Sequence, residues 1–444
     1  MCKYISFGRI NSNYKYILYY AIFQLINQYL FAKDILNKIG TFDRTLISNH
    51  KIIQEIFNYI GVFFISIFIF IYEKYQKKIR NKSDEKILIK KTYSNFSQSK
   101  LIYTDQLEGN ISLIRIIAII FLLVLQAQSM NTFYACGLDG LDFWMFEMLF
   151  IYFIFSKILS SPIYKHQKYS VYFVIIFCTL MKIISSCIYY FDKPDIIYKT
   201  YKIIIPIGII IFLLITYLRA YVACKVKWLM DLKYISSGLL LMIYGIMGAI
   251  ICSIACIITT YVPCEDSLIS YDEMIKICRQ KRTIYYNNTE SNTFNHYDSY
   301  SVYFEKLLKG DGYDIFKNIS LIIIKVIVIF MVKLFSILIL KYLNPFFFIC
   351  SSSIYYFFSR LIRLIIYYED NDIKESLDFI TEIFSIFGIL VYTELIELNF
   401  CDLNYNLKKN IINRSKKDSS ILELTNNENE SWDSALNSDF NEDE

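Results

Sequence analysis

The sequence predicts an all-α integral membrane protein, built as a bundle of about ten transmembrane helices. Hydrophobic residues make up 55% of the 444 positions and are concentrated in separate runs, whereas soluble domains average roughly 45–50% with a more even spread. The runs are about 18–25 residues long, the length of helix that crosses a hydrocarbon core of about 30 Å. Only 5 Pro and 13 Gly are present, so the frequent turn signals of an all-β protein are missing.

Ten apolar runs are candidate membrane spans. They cover residues 14–32, 52–72, 111–131, 143–160, 170–190, 202–222, 235–262, 319–341, 344–366 and 378–398. Gln and Asn side chains interrupt the first run, and Arg360 and Arg363 lie near the end of the ninth.

The basic residues between the runs predict the orientation. An excess of Lys and Arg marks the cytoplasmic loops of a membrane protein. Loop 2–3 is rich in Lys, loop 3–4 has no basic residue, and loop 6–7 contributes Arg219, Lys225, Lys227 and Lys233. This alternation predicts an even number of spans with both termini in the cytosol. It leaves open whether the plasma membrane or an endomembrane holds the chain.

The predicted transmembrane domain covers residues 1–401, and a cytosolic tail covers residues 402–444. The long loop at 263–318 is expected on the outer or lumenal side. There Cys264 and Cys278 are a plausible disulfide, and Asn287 begins a glycosylation sequon. The tail is acidic and poor in apolar residues, so we expect it to be mostly disordered.

Polar side chains inside the runs are the candidates for a solute pathway, because such residues are costly in a bilayer. The first run carries three at helical spacing, and four more lie deep in later runs; together they are Gln24, Asn27, Gln28, Glu147, Lys182, Lys325 and Glu382. A buried lysine needs an acidic partner or loses its charge, and Glu147 and Glu382 are the partners that the sequence offers. Hydrogen bonding between helices is the alternative role for the three amides.

Several classes of function lack their residue signatures. The chain has only three His and no Cys-x-x-Cys spacing, so we expect no metal site and no cofactor. No phosphate-binding loop is present, and topology explains the basic residues better than nucleic-acid binding does. We expect no enzymatic activity; the alternative is a lumenal lipid-linked glycosyltransferase that would use Asp139 and Asp142, although Asp142 also suits a helix cap.

Four segments resemble an uncharacterised family of multi-pass proteins from single-celled eukaryotes. They are Leu141–Glu147, Pro162–Lys168, Lys227–Ser236 and the stretch from Glu394–Cys401 to Leu407–Asn410. More distantly, the ten runs and the basic Lys-His-Gln-Lys turn between the fourth and fifth resemble the drug/metabolite transporter superfamily. That resemblance implies two inverted five-helix repeats around a central cavity, and it implies no substrate. The two halves share no clear internal similarity, and loop 7–8 departs from the pattern as an insertion.

The function that these features favour is secondary transport of a small organic solute. The cavity would be lined by the first, third, fourth, eighth and tenth spans. The lipid bilayer and the solute would be the partners, and the sequence leaves a homodimer open. The alternative is a membrane receptor or scaffold that signals through its acidic tail.

Overall fold

A computed structural model describes most of the apolar part of the chain. The described residues are 5–7, 12–30, 51–91, 113–135, 145–158, 164–191, 201–232, 235–261, 280–286, 289–296, 300–308, 312–366 and 373–399, with single positions from 403 to 414.

Helices dominate these residues, and a helix overlaps each of the ten predicted runs. The first seven are α1 Lys15–Leu30, α2 Lys51–Lys91, α3 Leu113–Ala135, α4 Met145–Ile158, α5 Lys165–Phe191, α6 Tyr201–Leu232 and α7 Ser237–Tyr261. The others are a short helix, α8 Tyr300–Leu307, followed by α9 Gly312–Tyr342, α10 Pro345–Ile366 and α11 Ile373–Tyr392. The strands are β1 Ile5–Phe7, β2 Gln280–Tyr286, β3 Thr289–His296 and β4 Ile396–Leu398.

Six helices in the described part of the chain are long and apolar enough to cross a membrane, namely α2, α5, α6, α7, α9 and α10. The apolar part of α3 is shorter and covers Ile114–Met130. The chain is therefore an all-α, multi-pass integral membrane protein.

The last helix ends earlier than its hydropathy predicts. Glu394 adopts a left-handed backbone conformation with φ 61°. The amide of Leu395 then donates to the carbonyl of Leu390 at 2.9 Å, and the amide of Glu394 donates to the carbonyl of Val391 at 3.2 Å. These two bonds form a Schellman motif, which closes a helix C-terminus. The predicted span 378–398 is therefore a helix at 373–392 followed by a strand.

Strands β1 and β4 bring the two ends of the helical chain together. They pair antiparallel, with Ser6 opposite Glu397. Since β1 precedes α1 and β4 follows α11, the start of α1 and the end of α11 lie at the same end of the bundle. We call this the terminal end.

Helices α2 and α7 form the most extensive helix contact. A Cβ atom added to Gly245 would lie 2.6 Å from the backbone nitrogen of Phe63, and one added to Gly238 would lie 2.6 Å from that of Phe70. Only glycine permits two backbones to approach so closely. Gly238 and Gly245 therefore allow α2 and α7 to pack in close backbone contact.

Helices α5 and α11 form the second large contact and run antiparallel. The Ser170 hydroxyl donates to the Gly388 carbonyl at 2.8 Å, and the Ser185 hydroxyl donates to Asp378 at 3.1 Å. Both helices also pack against α4 or α10 in one apolar core. This pair lies to one side of the bundle.

Helix α1 lies between α9 and α10. Tyr16 stacks on Tyr342 of α9, and Phe23 stacks on Phe335 of the same helix, so α1 and α9 run antiparallel. The hydroxyl of Tyr29 donates to the Ser359 carbonyl of α10 at 2.7 Å. Helix α6 packs in turn against α3 and α4. Together these contacts surround a space in the middle of the bundle.

Candidate functional site: a central polar cavity

A cavity of about 350 Å³ lies among seven helices. Its volume falls within the range of small-molecule sites, about 300–1,000 Å³. Helices α1, α2, α3, α6, α7, α9 and α10 contribute its walls, whereas α4, α5 and α11 contribute none. The predicted lining by the fourth and tenth spans is therefore wrong for this cavity, because those helices pack behind α6 and beside α5.

Amide and phenol groups form much of the wall. Gln24 and Asn27, two of the amides predicted in the first run, are lining residues of α1, and Gln126 is a lining residue of α3. Tyr59 of α2 accepts a hydrogen bond from the Gln128 amide at 3.0 Å and one from the Tyr244 hydroxyl at 3.4 Å. These groups can donate and accept hydrogen bonds, so the wall suits a polar organic molecule.

Arg219 of α6 brings a positive charge to the wall. Its Nε lies 3.2 Å from a carboxylate oxygen of Glu147, which is buried in α4. Its Nη2 donates to the Ser352 hydroxyl at 3.3 Å, and the guanidinium lies 5.0 Å from the centre of the Phe348 ring. An ion pair, a hydrogen bond and a cation–π contact therefore hold the guanidinium in one orientation.

Lys333 of α9 brings a second positive charge to the wall. Its ammonium lies 5.5 Å from the centre of the Tyr244 ring. Glu55 of α2 is the acidic residue among the lining side chains, and it lies within electrostatic range of both Lys333 and Lys325. The lining therefore carries two cations and one acid.

The three predicted amides of α1 separate into two environments. Gln24 and Asn27 line the cavity, whereas Gln28 does not. Gln28 accepts hydrogen bonds from the hydroxyls of Tyr355 and Ser359, both at 2.8 Å. Gln28 thus joins α1 to α10, which is the alternative role that the sequence left open for these amides.

Lys182 and Glu382 lie in a separate charged cluster between α5, α10 and α11. The Lys182 ammonium lies 3.6 Å from Asp378, and the Arg360 guanidinium lies 2.9 Å from the same carboxylate. Glu382, buried on α11, acts electrostatically on Cys178 of α5. Neither Lys182 nor Glu382 lines the cavity. Asp378, which stands at the edge of the predicted span, is a carboxylate partner of Lys182 that the sequence analysis did not name.

Lys325 lies beside the cavity, outside its lining. Glu55 and Lys51 lie within electrostatic range of it. Of the two expected acidic partners, Glu147 pairs with Arg219. Glu55 was missed because it lies near the end of an apolar run, where an acid is ordinary.

Arg219 was also missed, and for a related reason. Arg219 lies just inside the end of the predicted sixth span, 202–222, and it was counted with Lys225 and Lys227 as a basic residue of loop 6–7. The apolar helix extends over Ile207–Asp231, and Lys227 pairs with Asp231 at 3.0 Å within it. A charge near the end of a hydropathy window is equally compatible with a loop and with a buried ion pair.

The remaining predicted positions lie outside the described residues. They are Cys264, Cys278 and Asn287 of the outer loop, Asp139 and Asp142 before α4, and the acidic tail. Within the described residues, no group of three His, Cys, Asp or Glu side chains is arranged to hold a metal ion.

Comparison with known proteins adds no family. No protein-family model matches the chain, and no curated protein matches it.

Proposed function

We propose that this chain is a secondary carrier that moves a small organic solute across a membrane through the central cavity. The observation that carries the proposal is a cavity of about 350 Å³ whose wall contains amides, phenols and three charged side chains. Such groups are costly among membrane helices and mark solute pathways by default. Transport would proceed by conformational change, without covalent chemistry.

Ten membrane crossings, with an even count, are part of this proposal. The six long apolar helices would supply six crossings, and α1, α3, α4 and α11 would supply the other four. Helix α1 has 16 residues, so it is about 24 Å long. Pairing of β1 with β4 supports an even count, because it joins the start of α1 to the end of α11. The basic residues of loop 2–3 favour a cytosolic location for that terminal end.

The helix contacts support two inverted five-helix repeats. In such an arrangement span n corresponds to span n + 5, which pairs α2 with α7 and α5 with α11. Those are the two largest helix contacts. The contact of α1 with α9 then corresponds to that of α6 with α3, and the contact of α1 with α10 corresponds to that of α6 with α4; all four are present. Midplane cavities between inverted repeats are typical of secondary transporters.

A polar latch at the terminal end supports a gate on that side. Glu73 of α2 accepts hydrogen bonds from the Ser237 hydroxyl and the Gly238 amide of α7, and lies 3.0 Å from the Lys341 ammonium of α9. The side chains of Glu73 and Lys341 are partly exposed, so their ion pair can break at low cost. Separation of α2 and α7 from α9 would open the cavity toward this end.

Uptake into proteoliposomes tests the proposal through one helix. Ala127 of α3 lines the cavity, whereas Ala118 of the same helix is exposed on the outside of the bundle. Ala127→Trp should fill the cavity and abolish uptake of cell metabolites, measured by mass spectrometry against empty liposomes. Ala118→Trp is the matched control and should keep uptake.

Full uptake by a folded Ala127→Trp protein would contradict transport through this cavity. Both variants are first checked for wild-type elution in size-exclusion chromatography. The enzyme and scaffold alternatives rest on Asp139, Asp142 and the tail, which lie outside the described residues, and no contact in the described part of the chain favours them.

A further inference from the structure

The charged side chains that line the cavity carry a net positive charge. Arg219 and Lys333 are lining cations, and Glu55 is the acid among the lining side chains. Glu147 approaches Arg219 from α4, which contributes no lining residue, so the guanidinium lies between that carboxylate and the cavity. From these charges we propose that the solute is an organic anion, a carboxylate or a phosphate ester, bound between Arg219 and Lys333. This inference rests on the proposed carrier function and names its substrate class.

Arg219 is suited to bind an anionic group with defined geometry. A guanidinium presents a planar fork of N–H donors that matches the oxygens of carboxylate and phosphate. Glu147, Ser352 and Phe348 fix the plane of this guanidinium. A solute anion therefore meets a donor that is already oriented, and loses less conformational entropy on binding than it would with a flexible side chain.

Lys333 is the cation whose charge a solute would balance. It lies over the Tyr244 ring, and among the described residues no acidic side chain forms an ion pair with it; Glu55 acts on it from a greater distance. An ammonium inside a helix bundle is costly without a counter-charge. An anionic solute reduces that cost, whereas a cationic solute increases it.

Lysines also mark the full length of α9. Lys317, Lys325, Lys333 and Lys341 follow one another at intervals of eight residues, or about 12 Å of helix per step. They extend from the start of α9 to the latch at the terminal end, with Lys333 in the cavity between. Of these four lysines, Lys333 is the one among the lining residues, so it is the one that a solute in the cavity would meet.

The uncharged wall requires the anion to carry an organic body. Tyr20, Tyr355, Tyr356 and Phe348 contribute rings, and Gln24 and Asn27 contribute amides. A bare inorganic ion fills only a small part of a cavity of about 350 Å³ and would leave most of these groups without a contact. The expected solute therefore has a hydroxylated or ring-bearing body with one or two acidic groups, within a volume of about 350 Å³.

The first experiment measures thermal unfolding of the purified full-length protein with metabolite pools sorted by charge. One set shares a single body and varies its charge: glucose 6-phosphate, glucuronate, glucose and glucosamine. Broader pools contain carboxylates, phosphate esters, neutral polyols or amines, and inorganic phosphate is tested alone. We expect stabilisation by the carboxylate or phosphate-ester pool, and the comparison of those two pools identifies the acidic group.

Variants then assign the binding to the two cations. Lys333→Gln should weaken binding of the active anion by about tenfold or more, the usual loss for a hydrogen bond to a charged group, and Lys333→Arg should restore most of it. The control is Lys225→Gln on α6; Lys225 lies over the Tyr221 and Trp228 rings and outside the cavity. Arg219→Gln leaves Glu147 buried, so Arg219→Gln combined with Glu147→Gln is used if the single variant does not fold.

The outcomes separate the inference from the carrier function. Stabilisation and uptake of neutral or cationic solutes alone would overturn the anion assignment and leave the carrier standing. An anion effect unchanged in Lys333→Gln and in the Arg219 variants would overturn the binding site. If no pool stabilises the protein or enters proteoliposomes, both the carrier function and this inference fail.

Discussion

The charged side chains inside this bundle occur as small groups that join different helices. Arg219 of α6 pairs with Glu147 of α4, and Asp378 of α11 pairs with Lys182 of α5 and Arg360 of α10. Removing one member of a buried ion pair leaves an uncompensated charge, which costs much more than the intact pair contributes. At the residue scale, these groups should therefore decide whether the bundle folds.

Asp378→Asn should destabilise the protein strongly. The substitution leaves two cations close together in the α5–α10–α11 cluster, and we expect a loss of about 3–5 kcal/mol. Thermal unfolding in detergent measures the effect as a lowered midpoint. The control is Glu305→Gln on α8, which removes an exposed carboxylate and should change stability by less than about 1 kcal/mol.

An equal shift for these two variants would contradict the structural role of the cluster. Restoration of stability by Lys182→Met in the Asp378→Asn background would further support it, because the cluster then carries one cation fewer.

At the residue scale the sequence predicted which polar positions are costly, and tertiary packing decided what they contact. Gln24 and Asn27 were predicted for a pathway and line the cavity. Lys182 was predicted for the same pathway, but it points toward α11, where Asp378 lies. Spacing along one helix predicts which side chains share a face. The neighbouring helices determine whether that face contacts a cavity or an ion-pair partner.

At the scale of elements, glycine sets the distance between α2 and α7. Gly245→Ala should destabilise the bundle by about 1–3 kcal/mol, the usual cost of overpacking, because the added methyl group would meet the Phe63 backbone. The control is Gly312→Ala at the start of α9, where an added Cβ has no neighbour within 4 Å. Both unfolding midpoints are measured in the same detergent; a tolerated Gly245→Ala would show that the two helices can separate freely.

The elements were largely predictable because hydropathy acts locally along the chain. A helix lies at each of the ten apolar runs. The ends were less predictable, since they depend on capping. Helix α2 continues to Lys91, beyond its apolar part, and α11 stops at Tyr392, where Glu394 adopts a left-handed conformation. Hydropathy alone does not show whether a helix ends or continues when the following residues are equally apolar.

At the scale of the whole molecule, the pairing of β1 with β4 constrains the topology. With both ends of the helical chain on one side, we expect glycosylation at Asn287 in the outer loop and none at a sequon engineered into loop 2–3. Mobility shifts on glycosidase treatment of protein made in microsomes would report both sites. The reverse pattern would invert the proposed orientation, and modification of both would contradict the odd number of crossings proposed between these two loops.

The two largest helix contacts could not have been predicted from sequence similarity. The two halves share no clear similarity, and α2 packs with α7 while α5 packs with α11. Different side chains form these two contacts, with glycines between α2 and α7 and with Ser170 and Gly388 between α5 and α11. Such contacts depend on complementary shape, which a hydropathy pattern alone does not carry.

The most direct test of the carrier function asks whether the cavity opens to both sides of the membrane, and it needs no knowledge of the solute. A cysteine is introduced at Ala127 in a background without native cysteines, and sealed vesicles of each orientation are treated with an impermeant thiol reagent. The carrier function predicts labelling from both sides, in separate experiments, with no labelling of the lipid-facing control Ala118→Cys. Labelling from one side only, or from neither, would contradict alternating access and indicate a static cavity of the kind that a receptor has.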